Sequence, residues 1–259
     1  MMKRNLCVLL ALAGCAGGAS AQLFGSDNAG NYFLVDEATG AATIITADDS
    51  TYNFGGGATE IEINPATGVG YAQNPDGNFS GNIFDGVTGA SLGASNPTAD
   101  SFQGLEYVGG TLFATGFGGS STILYTLDPV TGQETVVADT GLTNPLNGLA
   151  YDVDAGIMYA SSGRTQELFT IDLGTGVPTL VGSMGVTVGS IEFGASGLLY
   201  GGGGQQQRGN IYTIDPLTGS STLVGATGLG TVVTGLTLLP APSSLALLAL
   251  AGMCTRRRR

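Results

Sequence analysis

The sequence predicts an all-β chain whose body is a five-bladed β-propeller, built from four-stranded repeats and closed by its own C-terminal strand. Three observations lead there. The pentapeptide Asp-x-x-Thr-Gly occurs five times, at Asp36–Gly40, Asp85–Gly89, Asp128–Gly132, Asp172–Gly176 and Asp215–Gly219, with successive copies 49, 43, 44 and 43 residues apart. Short runs of apolar and β-branched residues flank the copies. The body also begins with one strand type and ends with the type that should precede it. A period of ~40–45 residues holding four short strands is the content of one propeller blade.

The pentapeptide is a turn. An Asp side chain accepts hydrogen bonds from backbone N–H groups two residues on, and Gly takes a positive φ without a Cβ clash. Pro129 and Pro216 follow their Asp directly, where a fixed φ suits the first central turn position. Strands should flank it: Leu124-Tyr125-Thr126-Leu127 before and Thr135-Val136-Val137 after, with counterparts in the other repeats. Repeated five times, Asp-x-x-Thr-Gly marks structural hairpins, not five active sites.

Two further strands complete each repeat. One is Ile61-Glu62-Ile63, Leu105-Glu106-Tyr107, Leu149-Ala150-Tyr151, Ile191-Glu192-Phe193 or Leu236-Thr237-Leu238. The next sets an aromatic before a small residue: Tyr71-Ala72, Phe113-Ala114, Tyr159-Ala160, Tyr200-Gly201 and, near the start, Phe24-Gly25. Leu236–Leu238 can therefore complete the blade that Leu23-Phe24-Gly25 opens, which removes a free sheet edge. A β-solenoid or a pair of sandwiches lacks this closure. The body, residues 22–239, resembles the extracellular repeat propellers related to the quinoprotein-like and NHL-like groups. That likeness rests on period and pattern and implies no activity.

Composition narrows the chemistry. The chain has 259 residues, 45 of them Gly, with no His and no Trp. Without His there is no Ser-His-Asp triad and no imidazole metal ligand. All 20 acidic residues lie between Asp27 and Asp215, whereas six of the eight basic residues sit at the chain ends. The body keeps only Arg164 and Arg208, a net charge of -18. Nucleic acid is excluded as a partner because it demands a basic surface. Cys7, Cys15 and Cys254 are terminal, so the body can form no disulfide.

The two ends resemble addresses. Residues 1–21 have the parts of a secretory signal peptide: Lys3 and Arg4, an apolar run Leu6–Ala13, and Ala19-Ser20-Ala21 as a signal peptidase site, with cleavage before Gln22. A second reading stays open, because Leu12-Ala13-Gly14-Cys15 resembles a lipobox, which would place a lipid on Cys15. Residues 240–259 join Pro240-Ala241-Pro242 to an apolar stretch, Leu245–Cys254, and then Arg256–Arg259. This resembles the PEP-CTERM sorting signal, with Ala241 where that family has Glu. The resemblance implies transient anchoring by a C-terminal helix in the inner membrane of a Gram-negative-type bacterium. An exosortase-type transpeptidase would then process the tail and send the protein to the cell surface or extracellular matrix. The basic cluster fits the positive-inside rule.

Candidate chemistry in the body is sparse. Aligned strands put Glu62, Glu106, Ala150, Glu192 and Thr237 at one position of the innermost strand, so three carboxylates should meet at the axis. They could hold Ca²⁺, a cation that takes oxygen ligands, or line a water-filled channel as solvated carboxylates. Asp152-Val153-Asp154-Ala155-Gly156 begins like an EF-hand loop but has Gly163 where the twelfth-position Glu belongs, and it reads as a turn. Gly201–Gly204 followed by Gln205–Gln207 lacks the Lys-Ser/Thr of a phosphate loop and reads as a mobile loop between strands. Ser161 and Ser162 have no evident base partner. The resulting expectation is an exported, non-catalytic propeller that is structural or binds an extracellular polysaccharide or surface protein. The alternatives are a hydrolase or lyase acting on polysaccharide, and a lipoprotein anchored through Cys15.

Overall fold

A computed structural model describes residues 21–46, 60–73, 81–86, 91–94, 102–117 and 120–241. Among these there is no helix. The strands fall into five four-stranded antiparallel sheets. Blade 1 contains β1 (Gln22–Asp27), β2 (Tyr32–Val35) and β3 (Ala42–Thr46); blade 2 contains β4 (Glu60–Ile63), β5 (Val69–Gln73), β6 (Gly81–Asp85) and β7 (Ser91–Ala94). Blade 3 contains β8 (Phe102–Val108), β9 (Thr111–Phe117), β10 (Thr122–Leu127) and β11 (Glu134–Asp139). Blade 4 contains β12 (Gly148–Asp152), β13 (Ile157–Ser162), β14 (Glu167–Ile171) and β15 (Pro178–Ser183). Blade 5 contains β16 (Val188–Phe193), β17 (Leu199–Gly203), β18 (Asn210–Ile214) and β19 (Ser221–Ala226). The last strand, β20 (Val233–Leu239), returns to blade 1 and gives the order β20-β1-β2-β3.

This closure is the one the sequence predicts. Gln22 pairs with Leu239, Leu23 with Leu238 and Phe24 with Thr237, so the first and last strand residues of the propeller lie side by side. The inner strand of every blade carries the residues expected there, and each predicted aromatic sits opposite its predicted axial residue. Glu62 pairs with Tyr71, Glu106 with Phe113, Ala150 with Tyr159 and Glu192 with Tyr200.

Five hydrophobic cores fill the five gaps between neighbouring blades. Phe24 and Tyr32 of blade 1 meet Ile61 and Ile63 of blade 2. Tyr71 meets Leu105 and Tyr107, Phe113 meets Leu149 and Met158, and Tyr159 meets Ile191 and Leu199. The last core joins Tyr200 and Ile211 of blade 5 to Leu23, Phe33 and Leu236 of blade 1. The alternation of strand side chains explains the arrangement: each blade presents apolar side chains on both faces, one set to the blade before it and the other to the blade after. No blade has a core of its own.

The Asp-x-x-Thr-Gly turns have the predicted mechanics. Asp36 Oδ1 accepts from the N–H groups of Ala38 and Thr39 at 2.9 and 3.0 Å, and Asp128 Oδ1 from Val130 and Thr131 at 2.8 and 3.1 Å. Gly40, Gly132, Gly176 and Gly219 have φ between 69° and 76°. Asp85 ends β6, and its Gly89 lies outside the described residues. Asp152–Gly156 forms the same turn between the inner two strands, with Asp152 Oδ1 accepting from Asp154 and Ala155. Both kinds of turn gather on one face of the ring.

Two details differ from expectation or extend it. Gly201, Gly202 and Gly203 are not loop residues; they belong to β17 and pair with β16. A Cβ on Gly202 would run into Val233, and one on Gly203 into the Gln207 carbonyl, so the glycines make room for neighbouring chain. Gln207 is itself fixed, accepting from the Thr187 N–H at 2.9 Å. The repeat turns also act as joints between blades. The space a Cβ would need on Gly182 of β15 is taken by the Thr218 carbonyl of the next blade, and on Gly225 of β19 by the Thr39 carbonyl of blade 1.

These contacts set two expectations. Gly182→Val and Gly225→Val should each destabilise the domain by about 1–3 kcal/mol through overpacking, read as a lower denaturation midpoint. Removing residues 233–259 should abolish the cooperative melt, whereas removing 242–259 should leave it unchanged.

Candidate functional site on the propeller axis

The innermost strand of a blade has a partner on only one side, so its other edge presents backbone groups to the axis. Axial side chains answer them from neighbouring blades. Thr237 Oγ1 accepts from the Ile63 N–H at 3.1 Å, Ser190 Oγ from Leu236 at 3.0 Å, and Glu106 Oε2 from Tyr151 at 3.2 Å. Glu192 Oε1 turns to its own strand and accepts from Phe193 at 2.7 Å.

The structure brings all three predicted carboxylates together. Glu62, Glu106 and Glu192 each offer an oxygen, and these oxygens lie within 4.8 Å of one another. They are largely enclosed, with their residues only 3%, 7% and 6% exposed.

A fourth acid, Glu60, was missed by the sequence reading. It stands two residues before Glu62 on β4 and so points to the same side of the strand, a signal present in the Glu-Ile-Glu-Ile pattern. Its layer is otherwise small: strand pairing aligns it with Gly104, Gly148, Ser190 and Gly235. Glu60 Oε1 accepts from Ser190 Oγ and the Ile61 N–H, both at 3.2 Å. Oε2 of Glu60 and Oε2 of Glu62 are enclosed without a hydrogen-bond partner.

Electrostatics here are severe. Burial pushes the Glu192 carboxyl up to about 8. Burial, then repulsion from Glu192, raises Glu62 and Glu106 well above the usual carboxylate range, and burial raises Glu60 likewise. Two unit charges 4 Å apart repel by about 4 kcal/mol at an effective dielectric of about 20. Neither basic side chain among the described residues relieves this. Arg164 lines a cavity at the opposite mouth of the channel, and Arg208 donates to Gln205. The cluster needs protons or a bound cation.

Glu62, Glu106 and Glu192 also line a cavity of about 350 Å³ that opens on the turn face, together with Tyr107, Tyr151 and Asp152. Burial, and next the nearby Glu62, raise the Tyr107 hydroxyl, which stays protonated. Asp152 serves its turn, as does Glu37, whose carboxylate accepts from Ala195 and Ser196 of the neighbouring blade. Ser161 and Ser162 are buried, and Ser162 lies across the strand pairing from Glu167. Of the processing residues, Ala21, Gln22, Pro240 and Ala241 are described, while Cys15, Ala19 and Pro242 lie outside the described residues. β1 starts at Gln22 and β20 ends at Leu239.

The raised carboxyls give an unusual pH dependence. An unfolded glutamate titrates near 4.5 and folded Glu192 near 8, so between these values the folded state holds the extra proton. The stability this contributes is full below the unfolded value and is lost as pH rises through the folded one. In metal-free buffer the melting midpoint should therefore fall by several degrees from about pH 5 to about pH 8. Glu192→Gln should flatten that slope and raise the midpoint at the alkaline end.

No protein-family model matches the chain, and no characterised protein matches it in sequence. Likeness appears in three dimensions. A chain in the crystal structure of a nidogen/laminin complex is 11% identical, with 85% of this chain and 98% of that one covered and a TM-score of 0.59. A Bacteroides caccae protein of unknown function is 13% identical over 80% of this chain and 74% of its own, with a TM-score of 0.49. A Bacteroides thetaiotaomicron protein of unknown function is 13% identical over 63% of this chain, with a TM-score of 0.48, and this chain spans 42% of its length. At 11% identity the likeness to the nidogen/laminin chain is one of fold, that of a β-propeller.

Proposed function

We propose that the chain is an exported, non-catalytic propeller that works as a structural or binding module at the cell surface or in the extracellular matrix, delivered by exosortase-type sorting. The observation that carries this reading is the position of the propeller within the chain. Gln22 and Leu239, the residues next to the two expected processing segments, pair with each other at the end of the closing strands. Removal of both segments would therefore leave every blade whole. Six of the eight basic residues would go with them, leaving an acidic domain suited to a secreted surface and unsuited to nucleic acid.

The turn-face cavity supports the binding role. It offers Tyr107, Tyr151 and Asp152 at its wall and acids at its floor. A polysaccharide hydrolase or lyase on this scaffold has less support. Among the described residues, no His, Lys or Arg lines the cavity with the acids to share proton transfer or stabilise developing negative charge. Extracellular polysaccharide or a surface protein is the partner class we favour.

Mass spectrometry of the mature termini, from the full chain expressed in a host with an exosortase, tests the delivery. Gln22 is expected at the N-terminus, with a C-terminus close after Leu239. An intact Arg259 on surface-exposed protein would overturn the sorting reading, and a diacylglycerol on Cys15 would replace it with a lipoprotein.

A further inference from the structure

We propose that Glu62, Glu106 and Glu192 hold a hard divalent cation, Ca²⁺, on the propeller axis, at the floor of the turn-face cavity. The inference stands apart from the proposed function, since it needs neither export nor a partner. It rests on geometry and on an unmet hydrogen-bonding demand.

The donor set selects the ion. Three carboxylate oxygens within 4.8 Å of one another fit the span of one coordination sphere. Oxygens on opposite sides of Ca²⁺, at bonds of about 2.4 Å, stand about 4.8 Å apart. Zn²⁺ and other borderline ions prefer nitrogen or sulfur. The chain has no His, and its cysteines lie outside the body. Mg²⁺ demands near-ideal octahedral geometry, whereas three acids fixed on three different blades suit the more tolerant Ca²⁺ sphere.

The second observation is Glu62 itself. The residue is 3% exposed, and its Oε2 has no hydrogen-bond partner although it belongs to the cluster. An enclosed carboxylate oxygen without a donor is costly, and a cation supplies what is missing. Glu106 and Glu192 each use one contact on a strand N–H, which fixes their orientation and leaves further lone pairs free. Access exists as well. The three side chains line the cavity, so an ion has an entry path and room for the waters that complete six to eight ligands.

The titratable groups facing the cluster among the described residues are Glu60 on the same strand, Tyr107 and Tyr151 at the cavity wall, and Asp152 and Asp154 at its rim. Thr237 and Ala150 complete the ring without charge. An ion entering this site must displace the protons that otherwise keep the acids together, so binding should strengthen with pH.

The test is calorimetric melting of the full chain at neutral pH, in EGTA and in CaCl₂. With Ca²⁺ at ~100 times its Kd, the midpoint should rise by roughly 5–10 °C for a domain of this size. Glu106→Gln and Glu192→Gln keep the acceptor oxygens for the strand N–H groups but remove ligand charge, and each should lose most of that rise. A second measurement covers variants that fail to fold. Tb³⁺ bound to the wild-type chain should give luminescence sensitised by Tyr107 and Tyr151, and Ca²⁺ should displace it. An identical midpoint in EGTA and CaCl₂, a rise that survives in both variants, or absence of Ca²⁺-displaceable Tb³⁺ emission would overturn the proposal.

Discussion

The pairing of β20 with β1 is the constraint on which the rest of the molecule depends. Blades 1 and 5 share the core formed by Tyr200, Ile211, Leu23 and Leu236, and that core exists only because β20 returns to the start of the chain. Since no blade buries a core within itself, each interface is needed by its two neighbours. A ring has no terminal blade, so every blade has a neighbour on each face. The same strand contributes Gly235 and Thr237 to the axis, and Thr237 satisfies the inner edge of blade 2. Closure thus completes both the hydrophobic shell and the polar centre.

That centre follows from the geometry of a narrow ring. Five strand edges converge on one line, each with backbone groups that would need partners if buried. Short side chains could cap some of them, as Ser190 and Thr237 do. Glutamates reach further, from Glu106 to the Tyr151 N–H of the next blade. Their use brings like charges together, and burial with mutual repulsion then raises their pKa values. One feature therefore stitches the inner strands and creates the site's demand for protons or a cation.

Much of the body was legible because its signals are local. Asp36, Asp128, Asp172 and Asp215 bond to amides within their own turns, and aromatic-small pairs such as Tyr71-Ala72 mark strands whatever surrounds them. Repetition made the axial alignment readable too: Glu62, Glu106 and Glu192 could be set side by side from strand order alone. Glu60 was missed because it has no counterpart in the other repeats, where Gly104, Gly148 and Gly235 stand. The glycines of β17 were misread for a related reason. A run of four suggests a loop until the chain that fills the space of the missing side chains, Val233 and Gln207, is seen.

The sequence by itself determined the number of blades, the strand order, the turn chemistry and which strand closes the ring. These depend on period and on interactions between residues close in the chain. Only the tertiary structure decided that the axial acids are enclosed, that a fourth joins them, and that the repeat turns brace adjacent blades through Gly182 and Gly225. Those facts depend on how closely five strands approach one axis and how tightly one blade's turn seats on its neighbour. Such distances arise from the packing of residues far apart in the chain, which no local pattern encodes.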